Sequence, residues 1–161
     1  MTALPQLSVA DAALIQLQET LAGRVRTTRQ ERMLWATDAS PYQVEPLAVV
    51  EPMHAADVEA TVRWCAAQDL PVLPRGAGTS LAGQTVSRAV VVDCSVHMTA
   101  CEIDVAARRA VVGPGLVLDD LRAAARPHGL TFGAEVSTSA QATLGGMVGM
   151  AKYVELLPKS V

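Results

Sequence analysis

A glycine-rich turn placed directly after a short apolar strand constrains this chain more than any other feature. It reads Leu73-Pro74-Arg75-Gly76-Ala77-Gly78-Thr79-Ser80-Leu81-Ala82-Gly83-Gln84. Two glycines one residue apart let the backbone adopt positive φ and turn successive N–H groups toward one concavity, and their lack of side chains lets an anion approach closely. Thr79 and Ser80 add hydroxyl donors, and Arg75 adds a fixed positive charge. Such a nest suits a phosphate. Two other phosphate-binding patterns fail on residue identity. A P-loop ends in Gly-Lys-Ser/Thr, and no lysine follows Gly78 or Gly83. A G-x-G-x-x-G fingerprint needs glycine where Leu81 stands and a helix immediately afterwards, whereas residues 85–87 lead toward another strand.

The rest of the chain reads as alternating strands and helices. Ser8 and Asp11 form a helix-start signal, and Leu14, Leu17 and Leu21 repeat at helical spacing until Gly23. Residues 25–46 are polar and broken and are expected to form a connection without an element. A strand over residues 47–50 is closed by Pro52, and Val58, Thr61, Val62 and Cys65 share one face of a helix running to about Gln68. Extended chain resumes at Pro71, so strand, helix and strand form a β-α-β unit, expected to be a parallel pair. Residues 89–93 are a Val-rich buried strand, residues 101–105 and 109–112 an antiparallel hairpin, and Leu118, Leu121 and Ala125 mark a further helix with Gly129 at its C-cap. The fold class is therefore α+β. With aromatics at only 3%, Val, Leu and Ala must build the core.

Composition excludes several functions. A net charge of −3 without a basic block provides no footprint for nucleic acid. The first residues lack a basic stretch before their apolar run, and Asp11 and Gln16 interrupt that run, so neither a signal peptide nor a membrane span is expected, and a cytoplasmic protein is. Cys65, Cys94 and Cys101 lack C-x-x-C spacing and read as free thiols. His54, His97 and His128 are scattered without ligand spacing, so no metal ligand and no catalytic residue is assigned. Asp119 and Asp120 suit a helix start, Trp35 and Trp64 suit packing, and Arg108 with Arg109 suits a solvated hairpin tip.

A second small-residue cluster, Ala142-Thr143-Leu144-Gly145-Gly146-Met147-Val148-Gly149, and an intervening Gly113-Pro114-Gly115 add two more places where a ligand could meet bare backbone. Three such places in one small domain suggest an extended ligand. In order, PRGAGTSLAGQTV, VVVDCS, EIDVAARRAVVGPGLVLDDL and PHGLTFGAEVSTSAQATLGGMVG resemble the FAD-linked oxidase family, of the PCMH-type and vanillyl-alcohol oxidase superfamily. The likeness is to its D-lactate, glycolate and D-2-hydroxyglutarate dehydrogenase branch and covers about residues 47–149.

The resemblance implies that Arg75, Gly76, Ala77, Gly78, Thr79, Ser80 and Leu81 form the loop whose amides bind the FAD pyrophosphate, with Pro74 supporting its entry. It places Ser137 and Thr138 near the flavin or its phosphate chain, Leu144, Gly145 and Gly146 along the cofactor path, and Gly115 beside that path. Thr79 stands where covalent relatives carry a flavin-linked histidine, so it implies noncovalent FAD. Relatives commonly continue the second cluster with Asn-Asn, whereas this chain continues Met150-Ala151-Lys152-Tyr153. The expected layout is an N-terminal helix and connection over 1–46, a partial FAD-binding domain over 47–149 and an atypical tail over 150–161. The implied activity is oxidation of a 2-hydroxy acid by an FAD-dependent dehydrogenase. Its implied partners are a missing C-terminal substrate domain or subunit and an iron–sulfur or quinone electron acceptor. The alternatives are a catalytically inactive folding module without flavin and a flavin-dependent reductase of cell-wall precursor synthesis.

Overall fold

Leu14 and Leu17 are buried one helical turn apart in α1 (Asp11–Thr20), and Leu21 is buried just beyond its end. The structure is a computed structural model and describes Val9 and residues 11–150. Ser8 of the helix-start signal lies outside the described residues, as does the expected tail apart from Met150. Next in the chain come β1 (Arg24–Arg26), α2 (Arg29–Arg32) with a 3-10 turn over Met33–Trp35, β2 (Ala48–Glu51), α3 (Ala55–Ala67), β3 (Val72–Arg75) and β4 (Val90–Asp93). The hairpin β5 (Cys101–Asp104) and β6 (Arg109–Val112) follows, then α4 (Leu118–Ala125), a 3-10 turn over Arg126–His128, and α5 (Leu144–Met150).

The main sheet has the order β1-β2-β4-β3. Every residue of β2 and β4 is buried, which is why each is an apolar run of three residues rather than an alternating pattern, closed by a buried carboxylate, Glu51 or Asp93. One core forms where α1 and α3 meet the sheet, with Leu17, Val50, Cys65 and Val90 at its centre. A second, around Leu116, Leu118, Leu121 and Leu144, seats α4 and the start of α5. The hairpin turn places Arg108 at φ 51°, and Gly129 closes the second 3-10 turn at φ 68°.

Three local expectations are corrected. First, β2 and β3 run parallel but are not a pair, because β4 lies between them and is parallel to both. The run of three valines in β4 needs cover on both faces and belongs inside the sheet, whereas Pro74 has no N–H to offer and suits β3 to an edge. Second, residues 25–46 are not free of elements. The strand β1 pairs antiparallel with β2, its Val25 N–H donates to Gln18 Oε1 at 2.7 Å, and Arg26 Nε lies 3.0 Å from the buried Glu51. With one apolar residue in three, β1 carries almost no periodic signal. Third, Val62 is 46% exposed, and the buried stripe of α3 is Asp57, Thr61 and Cys65. A buried aspartate broke the hydrophobic pattern that sequence reading depends on.

Burial raises the Cys65 thiol pKa to about 11. Iodoacetamide at neutral pH should therefore leave Cys65 unmodified in the native chain and label it in denaturant. Mass spectrometry after digestion reads this out, and labelling of Cys65 in native buffer would contradict the core described here.

Candidate functional site

Strands β3 and β4 end side by side, with Arg75 in register with Asp93. The glycine loop begins immediately beyond Arg75, so it sits at the carboxyl ends of two parallel strands. Gly78 adopts φ 67° and Gly83 φ 74°, both in the left-handed region that only glycine enters easily. The two polar sides of this loop are used unequally. The Gly78 carbonyl accepts from Ala39 N–H at 3.1 Å, whereas no amide of residues 76–81 donates to any described residue. A run of six amides without an internal acceptor leaves its N–H groups available to solvent or to an anion.

The side chains of the loop serve the loop itself. Ser80 Oγ is paired with Gln84 Oε1 and accepts from the amides of Ala82 at 3.3 Å and Gln84 at 3.2 Å. Leu81 is 79% exposed, Thr79 is half-buried, and Pro74 and Ala77 are exposed. The sequence reading directed the charge of Arg75 at the anion. Its guanidinium donates to the carbonyls of Trp35 at 3.0 Å, Thr85 at 3.0 Å and Thr37 at 2.7 Å. Burial pulls its pKa below the ordinary guanidinium range, opposed by the nearby charges of Asp93 and Asp38.

Tertiary structure brings the three glycine segments together. A Cβ built on Gly76 would overlap Thr143 Oγ1, and one built on Gly145 would lie 2.7 Å from Pro114 Cβ. Gly145 N–H donates to Pro114 O and Leu144 N–H to Leu116 O, both at 2.8 Å, while Val117 bridges Thr143. Gly115 packs against the Cys94 carbonyl with no room for a side chain. The bare backbone of residues 76, 115 and 145 is therefore a requirement of close approach between segments. Leu144 is buried in the second core, so its side chain packs against α4 residues. Ser137 and Thr138 lie in a turn in which the Thr138 carbonyl accepts from Gln141 at 2.8 Å and Ala142 at 2.7 Å. Among the described residues, no hydrogen bond joins Ser137 or Thr138 to the loop.

Sequence reasoning missed Thr143, which meets Gly76 and accepts from Gly146 N–H at 3.3 Å. It also missed Asp38, which accepts from Thr85 Oγ1 at 2.9 Å. Asp38 lies in the polar stretch over residues 25–46, and this partner is 47 positions away from it. No group of three or more possible metal ligands occurs among the described residues. No helix among them is long and apolar enough to cross a membrane.

An edge strand thus delivers a loop of amides without internal acceptors against a second glycine segment, within an α+β subdomain. The chain belongs to the FAD binding domain family, which matches residues 46–154. Within it, the chain is related to the branch of D-2-hydroxyglutarate, glycolate and D-lactate dehydrogenases. It is 42% identical over 130 residues to D-2-hydroxyglutarate dehydrogenase of Pseudomonas putida, covering 78% of this chain and 13% of that protein. The corresponding enzyme of Haemophilus influenzae is 40% identical over 130 residues with the same coverage. Alkyldihydroxyacetonephosphate synthase has the same fold, with a TM-score of 0.76 at 16% identity, over 89% of this chain and 30% of that one. The chain thus spans 13% of the length of the two D-2-hydroxyglutarate dehydrogenases.

Proposed function

We propose that the chain holds FAD noncovalently, as the cofactor-binding part of an oxidoreductase that acts on a 2-hydroxy acid. The observation that carries this reading is the run of amides over residues 76–81 without an acceptor among the described residues. A pyrophosphate offers several charged oxygens to such a row, and hydrogen bonds to a charged acceptor are about twice as strong as neutral ones. Close packing of Gly76 on Thr143 supports the same reading more indirectly, because it holds the start of this loop against the second glycine segment.

In this reading Gly76, Ala77, Gly78, Thr79, Ser80 and Leu81 hold the pyrophosphate. Gly115, Gly145 and Gly146 border the cofactor path, and Ser137 and Thr138 lie farther along it. Thr79 has no nucleophilic nitrogen, so the flavin is held without a covalent bond. When bound, FAD supplies the two-electron acceptor chemistry, and the protein's contribution is binding and orientation. Residues 47–149 form the cofactor-binding part. Substrate chemistry and passage of electrons to an iron–sulfur or quinone acceptor belong to regions beyond this chain. That assignment is supported by the small share of its relatives that the chain covers.

The purified chain should be yellow and should release FAD on acid denaturation, identified by chromatography against FMN and riboflavin. A folded chain that is colourless and leaves the fluorescence of added FAD unchanged would overturn the proposal.

A further inference from the structure

We infer that the connector over residues 35–44 is a clasp that shapes the phosphate loop, and that Arg75 and Asp38 are positioning residues rather than phosphate ligands. This rests on the diphosphate reading of the loop. The connector lies upstream of the 46–154 segment matched by the family. It is nevertheless joined to the loop from several sides.

Arg75 donates to the carbonyls of Trp35 and Thr37, and Ala39 N–H donates to Gly78 O at 3.1 Å. Asp38 Oδ2 accepts from Thr85 Oγ1 at 2.9 Å, and Asp38 Oδ1 accepts from Ser40 N–H at 2.9 Å. The Tyr42 ring lies against Gly83, where a Cβ would come within 2.7 Å of Tyr42 Cδ2. Trp35 Nε1 anchors the front of the connector on the buried Asp93 at 2.6 Å. The connector is also closed on itself, because Thr37 bridges Gln43 and Val44 N–H donates to Ala36 O at 2.8 Å.

Two physical consequences follow. A loop with glycine at 76, 78 and 83 has many unbound conformations, and aligning its amides only on binding would weaken affinity. The clasp holds the carbonyl side of the loop, leaving the N–H side aligned before any ligand arrives. The charge of Arg75 also lies near the carboxylates of both Asp38 and Asp93, so it adds little net positive field to the nest. Anion affinity then comes from the amide dipoles, and the geometry that the clasp maintains decides it.

The test uses the full chain, calorimetric titration with FAD and with ADP, and the variants Asp38→Asn and Arg75→Ala. Asp38→Asn puts an amide donor opposite one of two donor pairs and should weaken both ligands about tenfold, the loss expected when one charged hydrogen-bond set is broken. Arg75→Ala should weaken both at least as much. Dilute guanidinium ion should restore part of its binding, which a merely unfolded variant would not show. The loss in Arg75→Ala should persist at about 1 M salt, where charge interactions are screened beyond about 3 Å, because a defect of loop geometry is not screened. Thr85→Val, which removes only the hydroxyl held by Asp38, should show a milder loss and serves if Asp38→Asn does not fold. Wild-type affinity in Asp38→Asn, or a loss in Arg75→Ala that disappears at high salt, overturns the clasp while leaving the loop reading intact. A wild-type chain that binds neither ligand overturns both.

Discussion

Replacing Gly78 by glutamate should lower the affinity for FAD and for ADP by about a hundredfold or more, with the main sheet still folded. Three effects act in the same direction. The φ of 67° costs a non-glycine residue about 1 kcal/mol. A Cβ at this position would come within 2.5 Å of Arg75 Nη2, displacing a guanidinium that holds three carbonyls. The new carboxylate also introduces a negative charge where the proposed site would receive a phosphate. Together these are worth about 3 kcal/mol or more, which corresponds to about two decades in affinity. Gly129→Ala is the matched control. It has a similar φ of 68° but nothing within 4 Å of the added Cβ, so it should cost about 1 kcal/mol of stability and leave binding unchanged. Calorimetric titration alongside thermal melting separates the two, and wild-type flavin content in Gly78→Glu would exclude the loop as the contact.

Asp57→Ala should be the most destabilising single change, at about 3 kcal/mol by chemical denaturation. The carboxylate is 2% exposed and accepts three amides, from Ala22 at 3.0 Å, Gly23 at 3.0 Å and Met53 at 2.8 Å. It thereby joins the turn between α1 and β1 to the turn between β2 and α3. Alanine would leave all three donors unpaired in a buried corner where Gly23 already abuts the Glu51 carbonyl. Burial by itself would raise the Asp57 pKa, and the amides of Met53, Ala22 and Gly23 more than offset it, leaving it below the ordinary aspartate value. A depressed folded-state pKa means that this contribution is complete above the unfolded pKa of about 3.9 and is lost as pH falls through the lower folded value. Asp57→Asn should therefore be destabilised at neutral pH and lose less of its remaining stability on acidification than the wild-type chain. Parallel acid-dependent losses in the two would remove Asp57 from this role.

Much of the layout was legible because it depends on short-range rules. Leu14, Leu17 and Leu21 mark α1 by spacing, the valines of β4 mark a strand covered on both faces, and Gly129 marks a left-handed cap. The loop was legible for the same reason, since the glycine requirement at residue 78 is a property of its own φ. The misses have one origin in common. The strand β1 exists through a buried Val25 and partners on α1 and β2, and Asp57 belongs to α3's buried face only because distant amides meet it there.

Periodicity, glycine placement and turn chemistry in the sequence alone determined α1, α3, α4 and the strands from β2 to β6, the α+β class, and the existence of a bare-backbone loop. Tertiary structure decided that β4 separates β2 from β3, that Gly76 meets Thr143, and that Arg75 binds Thr37 O across 38 positions. Local rules act over a few residues and are written in neighbouring letters. Strand order and the partners of a buried charge depend on which distant surfaces are covered together, which no local window of sequence contains.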